Sequence, residues 1–224
     1  KSNGLRTTLI LQLPKKYKTK LFIQVSTDEV YGALELFDNR QFSEYSLIQP
    51  NNPYAATKAS AEYIALSYLK THKVPVIITR CSNNFGPYQH QEKFIPTIIN
   101  NALNDRRIPI YGDGKNVRDW IYVIDHCIAI KELILLGKIG KVYNIGANNE
   151  ISNIDLVRNI LKILDKDESL MSFIQDRKGH DRRYALDNNR IKKEINWNPE
   201  TNFISGLKMT INWYQKNINL YKND

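Results

Sequence analysis

Two apolar stretches separated by one long helical stretch constrain this chain most. Residues 20–27 (KLFIQVST) and 74–81 (VPVIITRC) are short, β-rich and nearly continuous in apolar residues, as expected for strands covered on both faces. Between them, Asn52 offers a helix N-cap and Pro53 takes the favoured first helical position, so residues 54–73 read as one long helix. A strand, a helical crossover and a second strand build a parallel sheet with right-handed connections. In such sheets ligands bind beyond the carboxyl ends of the strands.

The rest of the chain continues the alternation. Residues 83–87 read as a loop, 94–103 as a helix, 108–111 as a short extended piece and 112–114 as a turn. Residues 125–136 are expected to be helical and 141–145 (KVYNI) to form a strand. Residues 153–164 place Ile154, Val157, Ile160, Leu161 and Leu164 on one helical stripe. Residues 171–175 and 184–186 are weaker strand candidates, and 188–195 and 203–216 close the chain as helices. The expected fold class is α/β, a partial doubly wound (Rossmann-like) parallel sheet plus a smaller α/β domain. Residues 1–84 would belong to the first unit and 85–224 mainly to the second, with 115–147 returning to the first sheet.

A doubly wound sheet that binds a dinucleotide needs a first strand running into a glycine-rich turn. Neither G-x-G-x-x-G nor G-x-x-G-x-x-G occurs in the 224 residues, and the chain opens at Lys1 without a Met. The expectation is that an amino-terminal cofactor cradle lies upstream of this chain. The formal charge of +9 comes from scattered lysines with no run of five or six, which argues for a solvated surface and against nucleic acid. No stretch approaches the ~20 apolar residues of a membrane span, and there is no charged-then-apolar leader. Cys81 and Cys127 have neither metal-ligand spacing nor a disulfide framework. A cytoplasmic protein without a metal site is expected.

Two clusters carry chemistry. Tyr54 and Lys58 lie at i and i+4, on one helix face and about 6 Å apart at Cβ. A nearby ammonium favours phenolate, which would draw the tyrosine pKa down and let it accept a hydroxyl proton. Thr27-Asp28-Glu29 ends the first strand. Neighbours on a regular strand face opposite ways, so both carboxylates reach one substrate only if the chain is already turning. One as acid and one as base would suit a β-elimination; the alternative is a polar strand end with two solvated carboxylates.

With VSTDEVYG (25–32), NPYAATKASAEY (52–63), RCSNNFGPYQ (80–89), KFIPTIINNAL (93–103), IPIYGDGKNVRDWIYVIDH (108–126), VYNIGANNE (142–150) and DRKGHDRRYALD (176–187), the chain resembles nucleotide-sugar 4,6-dehydratases of the dTDP-glucose type, within the extended short-chain dehydrogenase/reductase family. The resemblance implies an NAD-dependent lyase acting on a nucleotide-diphosphate hexose, with dTDP and UDP substrates left open. Tyr54 would take the sugar 4-hydroxyl proton, Lys58 would lower its pKa and bind the nicotinamide ribose, and Thr27 would hydrogen-bond the 4-oxygen. Glu29 would remove the C5 proton and Asp28 would protonate the departing 6-hydroxyl. Ser26 and Asn84 would join Tyr54 and Lys58 as cofactor contacts. Asn83, Lys93, Phe94, Pro109, Ile110, Tyr111, Arg118 and Asn153, with Asp176, Arg177, Lys178, Gly179 and His180, would wall the nucleotide-diphosphate pocket. The helix 54–73 would form a homodimer face.

For Arg118 a phosphate grip competes with an ion pair to Asp119 or Asp125, and of Arg182 and Arg183 one is expected in the site and the other on a surface carboxylate. His90 reads as a loop histidine. The chain departs from the family pattern at Pro14, which should kink or end a helix expected over residues 2–17, and at Lys178, where a proline is usual. Alternatives are a 4-epimerase or decarboxylase of the same family, which resemble small residues in place of Asp28-Glu29, or a catalytically incomplete fragment.

Overall fold

The computed structural model describes residues 3–177 and 179–217. In chain order its elements are α1 (Asn3–Tyr17), β1 (Phe22–Thr27), α2 (Pro53–His72), β2 (Val76–Cys81), β3 (Asn83–Phe85), α3 (Phe94–Leu103), β4 (Ile108–Tyr111) and β5 (Val117–Tyr122). There follow α4 (Val123–Leu136), β6 (Val142–Ile145), β7 (Glu150–Ser152), α5 (Asn153–Leu164), β8 (Met171–Ile174), α6 (Asn189–Ile195) and α7 (Phe203–Lys216). Among the described residues no helix is long and apolar enough to cross a membrane.

The first sheet has the order β1-β2-β6 and is parallel throughout. Thr27 pairs with Cys81 and Cys81 with Ile145, so three strands end at one edge. Both faces are covered, which explains the continuous apolar runs. Val76 and Ile78 pack with Leu11 and Ala65 under α1 and α2, while Ile77 packs with Ala129 and Leu133 of α4 on the opposite side. Each of these Val, Leu and Ile side chains contributes ~1.5–3 kcal/mol by leaving water.

The second unit combines a β3-β5-β7 sheet with the parallel pair β4-β8. Ile98 and Ile99 of α3, Ile108 and Ile110 of β4, Leu156 and Ile160 of α5, and Leu207 and Ile211 of α7 share its core.

Four local expectations are corrected. Helix α1 runs through Pro14 to Tyr17 and ends at Lys18, whose φ is 49°. The proline lies in the last turn, where its missing N–H costs a single intrahelical bond. Residues 83–85 are not loop: only Ser82 separates β2 from β3, which pairs with β5 from Asn83↔Trp120 to Phe85↔Tyr122. Residues 184–186 form no strand, and this segment makes only isolated bridges such as Phe42↔Leu186. Within 115–147, β6 joins the first sheet and α4 packs on it, whereas β5 pairs with β3 in the second. Strand β5 was hidden by its charged residues: Asp119 is fully buried because it accepts Ala147 N at 3.0 Å and Asn149 N at 2.8 Å.

Candidate active site

Strand β1 stops at Thr27, and Asp28–Tyr31 turns at once into a 3-10 helix. The Thr27 hydroxyl accepts Glu29 N at 3.4 Å and donates to Asp28 Oδ1 at 3.2 Å. The turn closes at Gly32 with φ 86°, where a Cβ would lie 2.6 Å from the Gln49 carbonyl. Because the chain turns, the adjacent acids occupy different surroundings without alternating across a sheet. Glu29 opens onto a cavity, whereas Asp28 is only 3% exposed. Burial, reinforced by the Glu29 charge and opposed by Arg118, pushes the Asp28 carboxyl up to about 7. Its Oδ2 is buried without a partner among the described residues, as is the hydroxyl of Ser26.

Helix α2 begins beside this turn. The Asn52 side chain caps it by accepting Ala55 N at 2.8 Å and donates to Glu29 Oε2 at 3.1 Å. Tyr54 is half-exposed, and its hydroxyl makes no hydrogen bond among the described residues. Lys58 Nζ donates to the Val25 carbonyl at 2.6 Å. The expected lowering of the tyrosine pKa is absent here: burial and the Glu29 charge hold Tyr54 above its ordinary value, while burial draws Lys58 down. Next to them, burial pushes the Cys81 thiol up to about 12, and its Sγ donates to the Ser26 carbonyl.

The cavity, of about 550 Å³, runs from Glu29 into the second unit. Asn83 and Asn84 of β3, Lys93, Phe94, Asn153 and Arg118 line it. Pro109 and Tyr111 do so too, but Ile110 does not: strand alternation turns it into the core, where it is fully buried. Asn84 is held by His126 Nδ1 at 2.8 Å and by the Ser82 carbonyl at 3.0 Å. Arg118 has no carboxylate within 4.0 Å among the described residues; it donates to the carbonyls of Val117 and Asp181 and lies over the Tyr184 ring at 4.5 Å. Asp119 and Asp125 face elsewhere, capping Ala147 and Thr201.

Arg177, Gly179 and His180 also line the cavity, with Arg177 over Tyr111 at 4.0 Å. Asp176 lies off the wall and shapes this loop, contacting His180 Nδ1 at 2.6 Å and accepting Arg177 N at 2.8 Å. Lys178 lies outside the described residues. Neither Arg182 nor Arg183 enters the cavity: Arg182 pairs with Asp113 at 2.9 Å and Arg183 with Glu150 at 2.5 Å. His90 sits on its loop near Glu92.

Asn52, Gln89, Thr97, Trp120, Asp181 and Tyr184 are wall residues absent from the expected set. Trp120 had a signal, standing two positions after Arg118 on one strand face; Thr97 comes from the first turn of α3, and the others are brought in by loops.

A partial doubly wound sheet with Tyr54 and Lys58 at its carboxyl edge defines the extended short-chain dehydrogenase/reductase class. The sequence family described as GDP-mannose 4,6 dehydratase matches residues 1–210, and the chain belongs to it. It is 43% identical over 205 residues to a dTDP-glucose 4,6-dehydratase of Xanthomonas campestris, covering 88% of this chain and 58% of the relative. Its structure matches the crystal structure of dTDP-glucose 4,6-dehydratase from Bacillus anthracis in complex with NAD, with a TM-score of 0.92 and 47% identity, over 97% of this chain and 68% of that one. The UDP-glucuronic acid 4-epimerase of Bacillus cereus, in complex with UDP-glucuronic acid and NAD, matches with a TM-score of 0.90 at 27% identity, over 96% and 67% of the two chains. The chain thus spans about six-tenths of the length of the curated relatives it matches.

Proposed function

We propose that this chain carries the catalytic and sugar-binding portion of a nucleotide-sugar 4,6-dehydratase, converting dTDP-glucose or UDP-glucose to the 4-keto-6-deoxy sugar and water. The observation that carries the reading is the split of two adjacent carboxyls: Glu29 open to the cavity, Asp28 buried with its pKa pushed up to about 7. Neighbouring acids driven apart in this way suit a base and an acid near neutral pH. Epimerases of the same class need no such pair.

Tyr54 takes the proton of the sugar 4-hydroxyl and Thr27 holds that oxygen. The resulting 4-ketone acidifies the C5 proton, which Glu29 removes while Asp28 gives its proton to the 6-hydroxyl leaving as water. NAD, when bound, would supply the hydride acceptor that returns what it took. Lys58 by itself leaves Tyr54 above its ordinary value, because burial and the Glu29 charge oppose the phenolate. Ser26 and Tyr54, whose hydroxyls make no hydrogen bond among the described residues, and Lys58 suit the nicotinamide-ribose end of the cofactor. The chain has no glycine-rich turn for its diphosphate. Asn84 adds a wall contact.

Arg118 suits a sugar-nucleotide diphosphate, because its guanidinium donates to carbonyls and has no carboxylate within 4.0 Å among the described residues. Lys93, Arg177 and His180 add charge, and Phe94, Pro109 and Tyr111 offer apolar surface to the base. A cavity of about 550 Å³ is within the ~300–1,000 Å³ usual for such ligands. In domain terms, residues 1–84 with β6 and α4 serve the cofactor and the remainder mainly the nucleotide sugar.

A homodimer through α2 is supported by its neighbour α1, which exposes Leu9, Leu13 and Tyr17 at four-residue spacing, opposite its buried Thr7, Leu11 and Pro14. Most of that apolar surface is on α1.

The test incubates the full gene product with NAD and either sugar nucleotide. Mass spectrometry should show loss of one water from the hexose. An unchanged sugar, or one changed only in configuration at C4, overturns the proposal.

A further inference from the structure

Tyr54, Lys58 and Glu62 stand four residues apart on α2 and therefore share one face. Glu62 is 1% exposed and grips Arg80 of β2 in a forked pair, Nη2 to Oε2 at 2.6 Å and Nε to Oε1 at 3.2 Å. The remaining Arg80 nitrogen, Nη1, donates to the Tyr31 hydroxyl at 2.8 Å, and the guanidinium lies over that ring at 4.7 Å. Tyr31 in turn donates to Asn144 Oδ1 of β6 at 2.7 Å, and its ring stacks on Phe42 at 5.0 Å. It lies two residues past Glu29, in the same 3-10 turn as both acids.

A buried ion pair is a weak source of stability, because desolvation offsets its attraction. Its distinctive property is direction. A forked guanidinium with a third bond to one hydroxyl tolerates a single arrangement of the elements it joins. Those elements are α2, which carries Tyr54 and Lys58, and the turn that carries Asp28 and Glu29. We infer that the Glu62–Arg80–Tyr31 relay is a positioning device that sets the acid-bearing turn against the Tyr54–Lys58 face. The inference rests on the dehydratase reading and adds residues that do not line the cavity. Hydride removal at C4 needs the Tyr54 face, whereas elimination also needs the acids aligned with a sugar that Tyr54 orients. Loosening the relay therefore harms the second step selectively.

Tyr31→Phe keeps the stacked ring and deletes one hydroxyl. In single turnovers of the full gene product with NAD and the active sugar nucleotide, the absorbance of reduced nicotinamide should rise at nearly the wild-type rate. Water loss should slow roughly tenfold, so the reduced cofactor accumulates. Glu62→Gln should split the steps the same way with KM unchanged.

A readout independent of turnover is carboxyl NMR of labelled aspartate in the cofactor-free protein. Asp28, faced by Glu29, Asp119 and Arg118, should titrate at a lower pH in Tyr31→Phe as its turn opens to water. Equal slowing of both steps, or no change in either together with an unmoved Asp28 titration, overturns the positioning role. If the wild type dehydrates neither sugar, the dehydratase reading fails, while the Asp28 titration still decides the relay.

Discussion

Asn52 and Glu29 are joined directly: the Asn52 amide donates to Glu29 Oε2 at 3.1 Å, while its oxygen caps α2 on Ala55 N at 2.8 Å. One side chain thus ties the start of the Tyr54 helix to the acid that faces the cavity. The two bonds are separable by substitution. Asn52→Ser keeps a helix cap but cannot reach Glu29, so stability in urea should hold within about 0.5 kcal/mol while water loss slows. Asn52→Ala should lose the cap as well, at a cost of about 1 kcal/mol. Equal turnover in the serine variant and the wild type would remove Asn52 from the site.

Glu29→Gln should still let the sugar be oxidised at C4, since Tyr54 and Lys58 are intact. The reaction should then stall with the cofactor reduced, because an amide cannot take the C5 proton. Solvent-deuterium exchange at C5, followed by mass spectrometry, checks it: exchange should vanish in the variant.

Asp28 gives a pH signature of folding. Its carboxyl is raised from 3.8 to about 7 in the folded protein, so the folded state binds that proton more tightly than the unfolded chain does. Its contribution to stability is therefore full below pH ~4 and lost as pH rises through about 7, by about 4 kcal/mol in all. Asp28→Asn removes this slope. Denaturant unfolding at about pH 5 and about pH 8 should show the variant gaining on the wild type at the higher pH. The difference between the two proteins isolates Asp28 from His126, which burial pushes down to about 4.

Arg118→Gln should weaken binding of the sugar nucleotide roughly 10- to 100-fold by calorimetry, and thymidine diphosphate alone by a similar factor. Urea unfolding separates this from the loss of the Arg118 bonds to the Val117 and Asp181 carbonyls, which should cost about 1–3 kcal/mol. An affinity loss confined to the sugar would move Arg118 away from the diphosphate.

Much of this site can be read along the chain, because its signals are local. Asn52-Pro53 starts a helix, and Tyr54 and Lys58 follow at one turn's spacing whatever packs around them. Ile110 was misjudged where Tyr111 was not, because a motif names a run of residues while a strand sends alternate ones to opposite faces. Arg182 and Arg183 were ambiguous because their carboxylates, Asp113 and Glu150, lie 69 and 33 residues away.

Hydrophobic periodicity and capping, which act over a few residues, were enough to specify the strand–helix–strand unit and to bring the phenol and the ammonium onto one helix face. Which carboxyl is buried and which is open, whether Arg118 is neutralised, and what orients the turn beneath them depended on long-range packing. Asp28 and Glu29 are adjacent in the chain, and their protonation differs because burial belongs to the folded surroundings and not to the residue.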